Sequence, residues 1–459
     1  MKQMTLANIA AACGGRYHGD PATAEVEVTG ITSDSRKVEP GFLFAALKGE
    51  RVDGHAFVAQ VFEKGAAAVL VEDAPAEAKG PYIQVASCYQ ALKDIAEFYR
   101  KTLTIPVVGI VGSVGKTSTK EMIASVLEQK FRVCKTEGNF NNELGVPLTV
   151  FRIREDDQVA VLEMGISDFG EMHRLSRITR PDICVMTNIG LCHLDHLHSR
   201  DGVLKAKSEV FDYAAPGCVA CLNGDDDKLR TLESRGELRP CFFGMGAEND
   251  IHAEQVENRG LDGIDCDICT KAGSIRVHIP IPGMHMVYNA LAGTAVGLTL
   301  GLTLEEIKAG IEALQPTGGR NHIVHMGTYT VIDDCYNANP VSMGASLDVL
   351  KCALGHTVAL LGDMGELGAD EAKLHYGVGV HAAENGIQKI VCVGALSKHM
   401  AAGARSVAKE SQEVVYFPAI EDLLEHLGTI VQPGDTVLVK ASHFMHFEKV
   451  VEALRLMGN

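Results

Sequence analysis

A chain of 459 residues is too long for one compact core, and this length predicts about three domains. Hydrophobic residues make up 46% of the chain and charged residues 22%, which is ordinary for a soluble globular protein, and no apolar run is long enough to span a bilayer. The formal net charge of −17 argues against a nucleic-acid backbone as the main partner, but it leaves room for a local site that binds anions.

The first 84 residues predict a small α/β unit. The opening run MKQMTLANIAAACGG predicts a short amphipathic helix instead of the apolar core of a secretory signal, so we expect a cytoplasmic protein. Strands are expected at 26–31, 42–47 and 67–71, with a polar loop at 48–55 and a helix at 57–64. Ser33, Ser35 and Arg36 follow the first strand, and they suit either a diphosphate site or a surface turn with a solvated Arg.

Residues 85–316 predict a central domain that contains a phosphate-binding loop. A helix at 88–102 leads to an apolar strand at 107–111, which runs into GSVGKTST and then into a helical pattern. Glycines in such a loop let backbone N–H groups approach phosphate oxygens, and the Lys adds a point charge. The loop reads GxxGKT, two residues shorter than the common nucleotide loop. The candidate nucleotide-binding residues here are Gly112, Ser113, Val114, Gly115, Lys116, Thr117 and Ser118.

Strands alternate with helices through the rest of this region, at 133–135, 159–163, 183–187 and 219–222, which predicts a parallel, doubly wound sheet. Ligands of such sheets lie at the carboxyl ends of the strands. The polar residues expected there are Thr136, Asn139, Asn142, Glu163, Asn188 and His193.

Two of the titratable residues near these strand ends, Glu163 and His193, suit metal chemistry. Glu163 closes a buried strand, the usual place for a magnesium ligand or an orienter of water. His193 opens the run HLDHLH, from which we expect one His, and not three, to act as a ligand. Lys205 and Lys207 begin the helical run KAKSEVF, where a Lys is ordinarily a solvated charge.

Residues 317–459 predict a second α/β domain after a hinge. A helix rich in small residues carries Asn289, which suits reading an adenine edge or capping. The hinge at 315–320 contains Pro, Gly and the single Arg320. Strands are expected at 330–333, 357–361, 389–393, 414–417 and 436–440, and polar turns containing Asp334 and the run GDMGELG follow the first two of them.

Taken in order, eight stretches resemble the ATP-dependent Mur ligases of bacterial cell-wall synthesis. They are SDSRKVEPGFLFAALKGERVDGHAF, GIVGSVGKTSTKEM, TEGNFNNELGVPLT, VLEMG, KAKSEVF, DDCYNANPVSM, GDMGELG and VLVKAS. The resemblance implies three α/β domains: a small UDP-binding domain at 1–84, a central ATP-binding domain with a doubly wound sheet at 85–316, and a Rossmann-like domain at 317–459.

The resemblance also implies roles for individual residues. Lys116, Glu163, His193 and Lys207 correspond to catalytic positions, with Lys207 at the place of a lysine that siblings carry as a carbamate. Asn289, Arg320 and Asp334 correspond to nucleotide contacts, and Ser33, Ser35 and Arg36 to contacts with the uridine diphosphate. The implied magnesium ligands are Thr117, Thr136, Glu163, His193 and Lys207.

The implied activity is an ADP-forming ligase that uses ATP and Mg²⁺ to join D-alanyl-D-alanine to a UDP-N-acetylmuramoyl-tripeptide through an acyl phosphate. YNANP and GDMGELG favour this acceptor over that of the tripeptide-forming sibling or a folylpolyglutamate-type ligase. We expect a monomer without nucleic-acid or membrane partners. One departure stands out, because the KGSR of the family reads Lys440-Ala441-Ser442-His443 here, and His lacks the bidentate fork of Arg.

Overall fold

The computed structural model describes residues 1–49, 52–75, 79–232 and 238–458. Residues 50 and 51 of the predicted polar loop therefore lie outside the described residues. Across these ranges the chain forms three β-sheets with helices packed against them. No helix in the described ranges is both long enough and apolar enough to cross a membrane.

The first sheet belongs to the N-terminal part of the chain. Its elements are helices α1 (Leu6–Ala12) and α2 (Val58–Glu63) and strands β1 (Arg16–His18), β2 (Gly30–Thr32), β3 (Phe42–Ala45), β4 (Ala68–Val71) and β5 (Tyr82–Gln84). The strand order is β1-β5-β4-β3-β2, with only β1 antiparallel to its neighbour among the described strands. The predicted strand at 26–31 begins only at Gly30, because Glu27 forms just an isolated bridge with Thr5.

The second sheet forms the central part of the molecule. Its strands are β6 (Val107–Val111), β7 (Val133–Lys135), β8 (Val159–Glu163), β9 (Ile183–Met186), β10 (Val219–Asn223), β11 (Arg239–Gly244), β12 (Ile251–Asn258), β13 (Ile264–Thr270) and β14 (Gly273–Ile279). Its helices are α3 (Cys88–Thr102), α4 (Lys116–Leu127), α5 (Gly145–Val150), α6 (Glu171–Thr179), α7 (Leu194–Leu197), α8 (Arg200–Ser208), α9 (Asp227–Arg230), α10 (His285–Thr299) and α11 (Leu304–Glu312).

The strand order of this sheet is β14-β13-β12-β11-β10-β9-β6-β8-β7. Neighbours from β7 to β12 are parallel, and β12, β13 and β14 form an antiparallel edge. The chain passes from β6 to β7 and β8 on one side and then to β9 on the other, so β6 lies where the strand order reverses. Ligands bind at such a switch point in open α/β sheets, which places the loop after β6 in the expected position.

The third sheet follows the hinge. Its strands are β15 (His322–Met326), β16 (Tyr329–Asp333), β17 (Thr357–Gly362), β18 (Lys389–Val393), β19 (Glu413–Phe417) and β20 (Thr436–Lys440), and its helices are α12 (Pro340–Lys351), α13 (Glu371–Glu384), α14 (Ser397–Val407), α15 (Ile420–Ile430) and α16 (Glu448–Gly458). The order is β15-β16-β20-β17-β18-β19, and β15 pairs antiparallel with β16 while the other pairs are parallel. The predicted α/β fold class is confirmed, whereas the boundaries at 84 and 316 stay predictions.

One buried cation joins α3 to the central sheet. Arg100 is only 7% exposed, and its guanidinium donates to the carbonyls of Thr179 at 2.8 Å and Arg180 at 3.1 Å. It also reaches the Asp182 carboxylate at 3.1 Å, which in turn accepts the N–H of Val107 at 2.8 Å. The helix is therefore fixed to the start of β6, directly below the strand that carries the phosphate loop.

Replacing this cation should destabilise the fold. Arg100→Leu leaves buried carbonyls without a donor, and because Asp182 is partly exposed we expect the free energy of unfolding to fall by about 2 kcal/mol. Urea denaturation followed by circular dichroism measures the change. The control is Lys101→Leu, which removes a surface pair with Glu97 and should cost less than about 1 kcal/mol. Equal losses in the two variants would contradict the role given to Arg100.

Candidate active site

The loop between β6 and α4 has the backbone shape of a phosphate cradle. Gly115 has φ +81°, in the left-handed region, and a Cβ on Gly112 would lie 1.9 Å from Oγ1 of Thr187. Helix α4 begins directly after Gly115, which has no side chain to cap the first turn. The N–H groups of that turn and the positive end of the helix dipole are therefore left for an anion.

Asn188 holds this loop from the end of β9. Its Oδ1 accepts the N–H of Val114 at 3.0 Å, its Nδ2 donates to the Val114 carbonyl at 3.1 Å, and its own carbonyl accepts the N–H of Ser113 at 3.1 Å. The Thr187 hydroxyl donates to the same Val114 carbonyl at 2.7 Å. Four hydrogen bonds thus fix the loop before any ligand binds.

Lys116 lies over the backbone of the loop. Its ammonium donates to the Gly112 carbonyl at 2.9 Å, a neutral partner that a phosphate oxygen would outcompete. Burial lowers the pKa of Lys116, and the nearby Glu163 carboxylate partly offsets that effect. The cation is therefore held at the loop, and no carboxylate in the described part of the chain bonds it directly.

Glu163 is buried at the end of β8, next to the loop. Its Oε2 accepts the Thr117 hydroxyl at 2.9 Å, and its Oε1 accepts Nδ2 of Asn141 at 2.8 Å. The Glu163 N–H donates to the Thr136 hydroxyl at 3.0 Å. The structure thus brings together one carboxylate and two hydroxyls, which are oxygen donors of the kind that Mg²⁺ prefers.

Lys207 lies on α8 and is only 1% exposed. Within the described ranges its ammonium donates no hydrogen bond to any acceptor. Burial, aided by the positive charge of Lys116, lowers the pKa of Lys207 to about 8. An unpaired buried ammonium is costly, so a modification or a ligand that neutralises this group would be favourable.

His193 lies near both lysines, in the loop after β9. It is half-buried, whereas His196 and His198 of the same run are exposed. Its Nδ1 is 3.3 Å from Oε2 of Glu366, which belongs to the run GDMGELG. Burial lowers the pKa of His193, while the Glu366 carboxylate acts in the opposite direction. A neutral imidazole is the form that can bind a metal.

A cavity of about 500 Å³ continues from the phosphate loop toward the third sheet. Asn289 lines it and accepts the Thr119 hydroxyl at 2.8 Å through Oδ1. Arg320 lies across the cavity from the loop, with its guanidinium carbon 4.1 Å from the centre of the Tyr336 ring. A planar base and a chain of phosphates therefore both find suitable partners along one cavity.

Asp334 lines this cavity, but its carboxylate is already bonded. Oδ2 lies 2.6 Å from the ammonium of Lys440 and accepts the Ser346 hydroxyl at 2.5 Å, and Oδ1 accepts the Asn321 N–H at 3.1 Å. Asp334 therefore positions Lys440 and the backbone of Asn321, which follows the hinge. His443, which stands at the Arg position of the family pattern, has its ring 5.5 Å from that of Tyr336.

The three residues predicted for the uridine diphosphate lie away from this cavity, none of whose lining comes from residues 1–84. Arg36 is exposed and its guanidinium forms two hydrogen bonds to Asp34, at 2.8 and 2.9 Å. This contact lowers the pKa of Asp34 to about 2. The Ser35 carbonyl accepts the Lys64 ammonium at 2.7 Å, while Ser33 lies half-buried in the same turn.

Sequence reasoning missed three residues of the site. Asn141, and neither of the predicted Asn139 and Asn142, bonds Glu163, while Oδ1 of Asn142 accepts N–H groups at the start of α5. Glu366 and Lys440 were seen only as parts of family motifs. Their contacts join distant segments of the chain, so spacing along the sequence carries no signal for them.

The chain matches three protein-family models and a relative of the same length. Residues 27–100 match the model described as the Mur ligase family catalytic domain, residues 110–297 the Mur ligase middle domain, and residues 319–443 the Mur ligase glutamate ligase domain. The chain is 36% identical over 460 residues to UDP-N-acetylmuramoyl-tripeptide–D-alanyl-D-alanine ligase of Bacillus subtilis (strain 168), covering 99% of both chains.

Two solved structures are also similar. A crystal structure of MurF from Acinetobacter baumannii has a TM-score of 0.89 and 34% identity, with 98% of both chains covered. The crystal structure of MurF ligase from Thermotoga maritima in complex with ADP has a TM-score of 0.81 and 26% identity, covering 93% of this chain and 97% of that one. The chain belongs to the Mur ligase family.

The hydrogen bonds from the Asn188 side chain to the phosphate loop should raise the affinity of the protein for ATP. Asn188→Ala removes two of the four hydrogen bonds that fix the loop, so the ligand must supply part of the order that the loop loses. We expect the dissociation constant for Mg–ATP to rise roughly tenfold. Titration with a fluorescent ATP analogue measures it. The control is Asn139→Ala, which changes another residue of the cavity lining. An equal rise of the dissociation constant in both variants would contradict the role of Asn188 in shaping the loop.

Proposed function

We propose that this protein is the ATP-dependent ligase that joins D-alanyl-D-alanine to the terminal carboxylate of a UDP-N-acetylmuramoyl-tripeptide, releasing ADP and phosphate. The reaction serves the synthesis of peptidoglycan precursors, and we place it in the cytoplasm, with the protein acting as a monomer. The observation that carries this proposal is the meeting of the phosphate loop, the buried Glu163 and the unpaired Lys207 at one sheet edge, in a chain that matches full-length relatives named for this reaction.

The chemistry follows from the problem of making an amide. A carboxylate does not acylate an amine at neutral pH, because oxide is a poor leaving group. Attack of the carboxylate on the γ-phosphate of ATP forms an acyl phosphate, and attack by the amine then releases phosphate. Lys116 and the N–H groups at the start of α4 are placed to hold the transferred phosphoryl group and to stabilise its charge.

The donor set at the sheet edge fits Mg²⁺. We assign Thr117, Thr136 and Glu163 as candidate ligands of one ion, and His193 with a carbamylated Lys207 as candidates for another. Mg²⁺ in these places would neutralise the phosphate charges during transfer. Asn141 would orient Glu163, since it bonds the oxygen that Thr117 does not.

The cavity suggests where ATP lies. We assign Asn289 to the adenine and Arg320 to the phosphates or ribose, with Asp334 acting through Lys440. The Arg36 turn suits the uridine diphosphate of the second substrate, because Arg36 is exposed and Ser33 and Ser35 adjoin it. Binding there would require the diphosphate to compete with Asp34 for the guanidinium.

Two rival functions make different predictions. A tripeptide-forming Mur ligase or a folylpolyglutamate-type ligase would use the same ATP site with another acceptor. A nucleotide switch would bind ATP without forming an amide. The relatives at 34–36% identity favour the D-alanyl-D-alanine ligase over the first rival, and the matched family domain at residues 27–100 argues against the second.

A coupled phosphate-release assay tests the proposed function. With ATP, Mg²⁺ and the UDP-linked tripeptide, we expect D-alanyl-D-alanine to stimulate phosphate release about tenfold or more and to yield the amide by mass spectrometry. Without an amine, the acyl phosphate releases its phosphate only by hydrolysis. Lys116→Ala should abolish turnover with the fold retained. Stimulation only by diaminopimelate, lysine or glutamate would support a rival acceptor, and no amide with any amine would support a switch.

The environment of Lys207 predicts a carbamate. A lowered pKa leaves more neutral amine to react with CO₂, so carbamate occupancy should rise as the pH rises through about 8. The product is an anion that suits Mg²⁺. NMR with ¹³C-bicarbonate should show one carbamate signal, and bicarbonate-depleted buffer should lower turnover.

The variants separate this carbamate from a simple charge effect. Lys207→Ala should lose both the signal and turnover, whereas Lys205→Ala, on the exposed side of the same helix, should keep both. Full activity of Lys207→Ala would remove the carbamate from the mechanism.

A further inference from the structure

The loop that follows β17, residues 363–368, is held rigidly by its own domain. The Asp363 carboxylate accepts the Ser397 N–H at 2.7 Å and the Ser397 hydroxyl at 2.6 Å. The Met364 N–H donates to Nε2 of His375 at 2.9 Å. The Gly365 N–H donates to the Ser442 hydroxyl at 2.9 Å. These bonds fix the backbone up to Glu366, which is the first side chain of the loop free to point outward.

This rigid loop presents Glu366 to His193, which lies beyond the carboxyl end of β9 in the central sheet. Its Oε2 lies 3.3 Å from Nδ1 of His193, and a Cβ on Gly368 would come within 2.8 Å of Oδ1 of Asp195. Glu366 and His193 both have positive φ, at 59° and 50°. Non-glycine residues rarely adopt this conformation, and two of them that meet across a contact point to a functional constraint.

The charges around this contact favour a cationic ligand on the side of Glu366. Lys116 lies close enough to influence the charge of His193, and on this side of the contact the phosphates and the reacting carboxylate of the first half-reaction would gather. The Glu366 side chain is 77% exposed, and its second carboxylate oxygen has no hydrogen-bond partner among the described residues. One oxygen therefore contacts His193 while the other remains open to a molecule arriving from solvent.

We propose that Glu366 binds the ammonium group of the incoming amine substrate and holds it beside the acyl phosphate. This inference rests on the proposed function, in which the second substrate is an amino-acid-derived amine that arrives as an ammonium ion. A carboxylate is the natural partner of that ammonium, and a charge-assisted hydrogen bond fixes its position. The rigid loop supplies the orientation that the attack needs. The bound ammonium first gives one proton to the Glu366 carboxylate or to solvent, and the neutral amine then attacks the acyl carbon and displaces phosphate. The run GDMGELG thereby gains a role in acceptor binding.

Glu366→Gln tests this assignment, since it keeps the size of the side chain and removes its charge. We expect the KM for D-alanyl-D-alanine to rise roughly tenfold, because the ammonium then donates to a neutral amide oxygen instead of pairing with a carboxylate. The KM values for ATP and for the UDP-linked tripeptide should stay within about twofold of those of the unmodified protein. Acyl phosphate formed without the amine, trapped by borohydride reduction, should be unchanged.

Two controls separate ammonium binding from a structural role. Asp370→Asn removes a neighbouring exposed carboxylate and should leave all three KM values unchanged. Propionyl-D-alanine, which replaces the amine by hydrogen, should inhibit the unmodified protein and Glu366→Gln equally, because it carries no ammonium. The advantage of the dipeptide over this analogue should shrink only in Glu366→Gln.

Three outcomes of these experiments would overturn the inference. An unchanged KM for the dipeptide in Glu366→Gln overturns the inference. So does an equal rise in all three KM values or a loss of acyl phosphate, because either would mean that Glu366 acts only through His193 or through the contact between the loops. If the unmodified protein accepts a different amine, the proposed acceptor fails, and the same variants are then scored with the amine that is used.

Discussion

Burying a carboxylate is unfavourable unless hydrogen bonds hold it and cations balance it, and Glu163 meets both conditions. Thr117 and Asn141 bond its two oxygens, while Lys116 lies close enough to influence the charge. Thr117 opens the helix that starts at the phosphate loop, so the carboxylate and the loop are parts of one hydrogen-bonded unit. Any shift of β8 against β6 would therefore disturb the nucleotide site.

The switch point of the central sheet explains why these groups meet. Strands β8 and β9 flank β6, and their carboxyl ends deliver Glu163 on one side and Thr187 with Asn188 on the other. Arg100 bonds helix α3 to the central sheet and so holds this helix against the start of β6. The loop is thus shaped by neighbours that come from distant parts of the sequence.

The C-terminal domain contributes from its own sheet. Asp334 directly follows β16, Lys440 ends the adjacent parallel strand β20, and the two neutralise each other within the cavity wall. The loop after β17 reaches His193 through Glu366. Each contribution again comes from the carboxyl end of a strand, so the cavity and the contact between Glu366 and His193 are both built by strand ends of two sheets.

The sequence alone determined the elements whose signals are local. Helix 88–102 and strands 107–111, 159–163 and 389–393 were predicted at their observed bounds, because apolar periodicity and caps act within a few residues. The loop GSVGKT needed only its glycines and lysine. Tertiary structure alone decided that Asn141 and not Asn142 holds Glu163, that the Lys207 ammonium finds no acceptor among the residues the structure describes, and that Glu366 meets His193. These contacts depend on packing between segments far apart in the chain, which no local pattern encodes.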